Sequence, residues 1–298
     1  MIVHYAQGGL GNQFFNYAAT RSLADHLGTE LLIDVENYRD QWDSNASRPF
    51  LLTHFPVRAK YRNLGRDGVS QPLFARIARR LREEVISKQL ERPLYEIAYF
   101  DEFLRLGRNT VLKGHFVDYR FFSWNSHRIS EDLRLTESVL GGDSRGEKLF
   151  AEIKRAECSV AVHVRRGDLL EEKYRWLLLD GVENYYRKAM EIIQSRYPAA
   201  VFYIFSDDPA WCTTCFANFD CTTKIVTEGN CSARDTLIDF FLMTNCKHQV
   251  IANSAFSWWA AWLNPNLEKT ILAPYIYDNN KSIPIDQLIP SEWQKVDW

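Results

Sequence analysis

The chain has 298 residues, 46% of them hydrophobic, 14% aromatic and 25% charged, which supplies one large or two medium cores and is too aromatic for a disordered chain. Its 36 Lys and Arg oppose 38 Asp and Glu, a net charge of −2, so no global positive field gathers nucleic acid. The most apolar stretch, Val250 to Leu263, is broken by Asn253, Ser254 and Ser257 and is no membrane span, while Met1-Ile2-Val3-His4 lacks the basic and apolar regions of a signal peptide; a cytoplasmic protein is expected.

Residues 1–6 read as a buried strand, followed by a glycine loop, Gln7-Gly8-Gly9-Leu10-Gly11-Asn12. Phe14, Phe15, Tyr17, Ala18, Leu23 and Leu27 then recur at helical spacing until Gly28. Leu31–Asp34 forms the next strand, completing a β-loop-α-β unit whose strands should be parallel. Gly9-x-Gly11 with Asp34 23 residues beyond Gly11 outlines a dinucleotide fingerprint, which would make the protein an NAD(P)-dependent oxidoreductase. Phe14 stands where that fingerprint wants its third glycine, and a tight turn with Asn12 capping the helix reads equally well.

From Arg58 to Arg92 the chain carries ten Lys/Arg against four Asp/Glu. Leu73, Phe74, Ile77, Leu81 and Val85 make one helical stripe flanked by Arg76, Arg79, Arg80 and Arg82. This is a surface helix packing its stripe on the core, or a basic amphipathic helix (within 58–92) that meets an anionic membrane at the inner face. The turn-rich segment Thr136–Lys148 is the expected domain boundary.

Beyond it strands and helices alternate. Strand Ser159–Val164 runs into Arg165-Arg166-Gly167-Asp168, and helix Val182–Tyr197 stops at Pro198. Strand Val201–Phe205 opens onto Ser206-Asp207-Asp208-Pro209. Strand Thr223–Val226, helix Ala233–Cys246, strand Gln249–Ala252, helix Ser257–Leu263 and strand Thr270–Ala273 complete the series. Polar clusters that recur just after strands belong at the carboxyl edge of a parallel sheet, where open α/β folds bind ligands. Two adjacent arginines there need an anion, and the guanidinium fork matches phosphate oxygens; a surface ion pair with Asp168 is the plain alternative. Asp207 and Asp208 suit a metal, a ribose or a helix opening before Pro209. Asp239, in the apolar run Leu237–Met243, requires a partner, and the adjacent N1–H and N2–H of guanine offer a matched donor pair. Asn253-Ser254 at a helix start can hold phosphate or simply cap the helix. Cys158, Cys212, Cys215, Cys221, Cys231 and Cys246 read as reduced structural thiols.

As a set, Gly8-Gly-Leu-Gly-Asn-Gln13, His163-Val-Arg-Arg-Gly-Asp168, Phe205-Ser-Asp-Asp208 and Cys246-Lys-His-Gln-Val-Ile-Ala-Asn-Ser-Ala-Phe-Ser-Trp-Trp259 resemble the ordered motifs of α1,2-fucosyltransferases, glycosyltransferase family 11. The resemblance implies an α/β, GT-B-like fold with two Rossmann-like domains whose parallel sheets face a cleft. They would be an acceptor-side domain at 1–148, a GDP-fucose-binding domain at 149–275 and a tail at 276–298. It implies inverting transfer of L-fucose from GDP-β-L-fucose to the 2-hydroxyl of a terminal galactose, on a glycan that a lipid carrier could bear, with no metal and no further cofactor. Carried over position by position, Arg166 grips the β-phosphate, supported by Arg165 and His163. Asp239 holds guanine, Ser254 contacts the pyrophosphate, and Asn12, in the glycine loop with Gly11, faces the donor across the cleft; Asn253 and Asp207 complete the expected donor-binding set. Asp168 is the first candidate for the base, with Glu171, Glu172 or no strong base as alternatives. Leu169 departs from the family, which often has an aromatic residue after Gly-Asp. A sugar-binding protein without catalysis remains a rival on aromatic content, but it leaves Arg165-Arg166 unexplained.

Overall fold

The computed structural model describes residues 1–41, 48–63, 99–227, 232–281 and 283–298. The basic stripe between Leu73 and Val85 therefore lies outside the described residues. Two compact units emerge, Met1–Arg134 and Leu135–Trp298.

In the first unit β1 (Ile2–Tyr5), β2 (Leu31–Asp34), β3 (Lys60–Arg62) and β4 (Val111–Leu112) form, among the described residues, a four-stranded sheet in the order β3-β2-β1-β4. All its pairs are parallel. Helix α1 (Leu10–His26) buries Phe14, Phe15, Tyr17, Ala18 and Leu23. Gly8, at φ +78°, turns the chain from β1 into α1 with the Asn12 side chain packed against it; a Cβ there would lie 2.8 Å from Asn12 Nδ2. The Gly8 carbonyl accepts from the Tyr38 hydroxyl (2.6 Å) and Gln13 Nε2 (3.1 Å). Helix α2 (Ser126–Asp132) brings buried Asp132 to the Tyr17 hydroxyl, 2.7 Å away, and to Arg21 Nε.

The second unit opens with α3 (Ser144–Arg155), whose start is capped by Asp143 accepting from the Gly146 N–H at 2.7 Å. Then follow β5 (Cys158–Val164), α4 (Val182–Arg196), β6 (Ala200–Ser206), α5 (Pro209–Phe216), β7 (Thr222–Ile225), α6 (Ala233–Thr244), β8 (His248–Val250), α7 (Ala255–Trp262), β9 (Ile271–Pro274), α8 (Ile285–Leu288) and β10 (Gln294–Val296). The sheet runs β10-β9-β8-β5-β6-β7 among the described residues, parallel throughout. Numbered within the unit, that order is 3-2-1-4-5-6 read from β7, the doubly wound order of dinucleotide-binding sheets. All seven residues of β5 are buried, as a strand covered on both faces must be. Tyr185 and Tyr186 on α4 pin the sheet near its carboxyl edge: their hydroxyls donate to the carbonyls of Ile251 (2.6 Å) and His163 (2.9 Å).

Two boundaries differ from the sequence expectation of 1–148, 149–275 and a tail. Residues 135–148 belong with the second unit, because α3 packs on α6 through Phe150 and Phe241 (5.1 Å between rings) and Arg234 donates to the Gly141 carbonyl at 2.6 Å. Residues 276–298 are built into the same unit: β10 extends the sheet beside β9, Trp293 packs against Trp258, and Trp298 Nε1 donates to the Asp180 carbonyl. Cys158, Cys212, Cys215, Cys221 and Cys246 are free thiols.

Candidate active site

Strand order reverses direction at β5, which has β6 on one side and β8 on the other. The crevice outside the carboxyl ends of β5 and β8 is where such sheets bind ligands. The sequence delivers Arg165-Arg166 to the end of β5, Asp207-Asp208 to the end of β6 and Asn253-Ser254 to the end of β8.

Arg166 is held from three directions. Its backbone N–H donates to Asp207 Oδ1 at 2.8 Å, its Nε donates to Asp208 Oδ2 at 3.1 Å, and its guanidinium carbon sits 4.4 Å from the centre of the Trp211 ring. Its Nη1 and Nη2 have no hydrogen-bond partner among the described residues, and 18% of the side chain is exposed. The open end of the fork is thus available to an anion. Asp208 also caps α5, its Oδ1 accepting from the Trp211 N–H at 3.0 Å. Gly167 is required by this packing: a Cβ there would lie 2.8 Å from Asp207 Oδ2.

Arg165 is committed elsewhere, its Nε and Nη2 donating to Asp168 Oδ1 (3.2 and 3.1 Å) and Nη2 also to Oδ2 (2.9 Å). Both oxygens of the first candidate base therefore already accept from a cation. His163 is buried beside Phe256, and burial, then the Arg165 charge, pushes its pKa down to about 3. It is neutral at pH 7 and adds no charge to the arginines; its Nδ1 has no partner among the described residues. Asn253 spends both amide protons on the carbonyls of Leu177 (2.7 Å) and Tyr277 (2.8 Å), so its side chain ties two loops together and offers no donor to a phosphate. Ser254 caps α7, accepting from the Phe256 N–H at 3.3 Å. Trp258 and Trp259 are core residues.

Asp239 stands apart, in a cavity of about 180 Å³ at the end of β7 lined by Arg145, Leu149, Val226, Thr227, Asp235, Ile238 and Leu242 among others. That is less than a whole drug-sized ligand needs and suits one planar ring system. Burial pushes the Asp239 carboxyl up to about 7, while the Thr227 hydroxyl, donating at 3.0 Å, and the Arg145 charge act in the opposite direction. With β6 between β5 and β7, the cavity and Arg166 are separated by two inter-strand spacings, roughly 10 Å. Gly11 and Asn12 belong to the first unit, in the first turn of α1.

Trp211, Thr227 and Arg145 belong to the site but to none of the motifs in the sequence. Trp211 carries one local signal, an aromatic placed three residues after the helix-capping Asp208. Thr227 and Arg145 reach the cavity only through tertiary packing. The dinucleotide reading fails on geometry: Asp34 is fully buried and accepts from Arg62 Nε (2.7 Å), Asn63 Nδ2 (2.8 Å) and the Glu36 N–H (3.1 Å), leaving no face to a ribose. Among the described residues no three His, Cys, Asp or Glu come together as a metal site, and no helix is long and apolar enough to cross a membrane.

The description of glycosyl transferase family 11 matches residues 101–297. An alpha-1,2-colitosyltransferase of Escherichia coli is 27% identical over 312 aligned positions, covering 100% of this chain and 99% of its own. The galactoside alpha-(1,2)-fucosyltransferase 1 of Oryctolagus cuniculus is 35% identical over 152, covering 47% of this chain and 40% of its own. The crystal structure of fucosyltransferase NodZ from Bradyrhizobium superposes with a TM-score of 0.54 at 19% identity, over 89% of this chain and 93% of that one. That likeness shows the fold, the two parallel-sheet units of GT-B glycosyltransferases.

Proposed function

The chain belongs to glycosyl transferase family 11, and from that premise we propose that it is an inverting α1,2-fucosyltransferase, moving L-fucose from GDP-β-L-fucose to the 2-hydroxyl of a terminal galactose. One observation carries the reading: along a single sheet edge, a base-sized cavity holding a carboxylate lies two strands from an arginine with an open fork. A nucleoside diphosphate laid along that edge puts guanine against Asp239, ribose past the end of β6 and the β-phosphate on Arg166.

When the glycosidic bond breaks, negative charge grows on the diphosphate and positive charge on the anomeric carbon. A fixed guanidinium stabilises the first at no cost of reorganisation. Asp207 and Asp208 already serve Arg166 and the start of α5, so they are not a metal pair in this reading and transfer proceeds without one. Arg165 and Asp168 act as a mutual clamp. Of the remaining carboxylates, Glu171 is paired with Lys173 at 2.9 Å, which leaves exposed Glu172 as the candidate to receive the acceptor proton. In this reading the protein works in the cytoplasm on a galactoside that a lipid carrier could bear.

The test is GDP release from GDP-fucose and from GDP-colitose (its 3-deoxy analogue), each with and without lactose. Lactose-dependent release from GDP-fucose is expected. Release from GDP-colitose alone would reassign the donor, and none from either would leave only a binding protein.

A further inference from the structure

Arginine is a long, flexible side chain, and a transition-state ligand is effective only when it is already in place. Arg166 has a scaffold that no part of the donor chemistry demands. Asp207 Oδ1 fixes its backbone N–H at 2.8 Å, Asp208 Oδ2 fixes Nε at 3.1 Å, and the Trp211 face lies 4.4 Å under the guanidinium. Asp208 in turn is fixed by capping α5, whose first turn carries Trp211. The indole is itself anchored, with ring neighbours Tyr186 at 6.4 Å and Phe216 at 6.3 Å. Asp207 fixes the backbone, while Asp208 and Trp211 act on one edge and one face of the guanidinium and leave Nη1 and Nη2 without a hydrogen-bond partner among the described residues.

Resting on the functional reading above, we propose that Trp211, with Asp207 and Asp208, positions Arg166 as a preset fork for the β-phosphate of a nucleoside diphosphate. Asp207 and Asp208 are then neither ribose nor metal ligands. Asp208 gives the guanidinium a counter-charge in the empty site, and the indole face supports the fork by cation–π contact while adding no further anion to compete with phosphate.

The role separates from simple packing because only the β-phosphate feels it. Dissociation constants for guanosine, GMP and GDP are measured by calorimetry on the wild-type chain and on Trp211→Phe, Trp211→Leu and Trp211→Met, each checked for cooperative melting. The wild type should prefer GDP to GMP. Trp211→Phe, which retains an aromatic face, should keep that preference within about twofold. Trp211→Leu and Trp211→Met, which keep bulk without the face, should each lose about fivefold of it, with guanosine affinity unchanged in all. Should the leucine variant fail to fold, the methionine variant makes the same comparison. A leucine or methionine variant with the wild-type preference, or a phenylalanine variant that loses as much as they do, overturns the positioning role while leaving the functional reading intact. A wild type indifferent to the β-phosphate overturns both.

Discussion

Replacing Asp239 with Asn should move stability and binding in opposite directions. A carboxyl whose pKa rises from 3.8 to about 7 on folding penalises the folded state by at most about 4 kcal/mol once ionised. The sign follows from the folded state holding its proton more tightly: the penalty is absent below pH 4, grows as pH rises towards 7 and is fully present above it. Partial exposure to solvent trims the figure to about 1–3 kcal/mol. Asn removes the charge yet keeps an oxygen for the Thr227 hydroxyl, now 3.0 Å from Oδ2. At about 2–4 °C per kcal/mol for a unit of this size, the variant should melt several degrees above wild type at pH 8, with the gain shrinking towards pH 5. Guanine, however, loses one of two hydrogen bonds to a charged acceptor and meets an amide donor instead, so GDP affinity should fall on the order of 100-fold. Differential scanning fluorimetry at pH 5 and 8, with GDP titrations at pH 8, reads both quantities. A variant less stable than wild type at pH 8, or one that binds GDP within threefold of it, would refute the reasoning.

Three further outcomes follow from the same geometry. Arg166→Ala should lower the rate of transfer at least about 100-fold with little change in melting temperature, measured as GDP release at saturating acceptor; near-wild-type turnover would remove Arg166 from the donor site. Because guanine needs the ionised Asp239 carboxylate, whose pKa in the empty site is about 7, GDP affinity in wild type should weaken about tenfold per pH unit below 7 and level off above, a dependence absent from Asp239→Asn. Deleting residues 291–298 removes β10 together with Trp293 and Trp298, at about 3–5 kcal/mol for each large aromatic lost; circular dichroism should show no cooperative melting of the second unit, whereas a wild-type transition would make those residues a dispensable tail.

The second unit was legible where the chain itself carries the period. The apolar strands ending at Val164 and Phe205 and the helix stopped by Pro198 fall within a residue of the elements found. What escaped lacked a local signal. Helix α3 begins inside a turn-rich segment and is made helical by the Asp143 cap and by packing on α6. Strand β10 is three residues long and is a strand only because β9 lies beside it. The site divides in the same way. The ion pair of Arg165 with Asp168, three residues on, is within reach of the sequence as the plain alternative to an anion site. The contacts of Arg166 with Asp207 and Asp208, more than forty residues away, and the cavity around Asp239 are products of the fold. His163 takes its supporting role only from the family resemblance, and Asn253 its phosphate role from its place at a helix start; the structure buries the one as a neutral ring and ties two loops together with the side chain of the other.

The central claim is tested most directly by the product. With GDP-β-L-fucose and lactose in buffer containing EDTA, proton and carbon NMR should show fucose joined through an α linkage to O2 of galactose, formed at the rate at which GDP appears. Retention of the β configuration, attachment at another hydroxyl, or a strict requirement for added divalent metal would contradict the account.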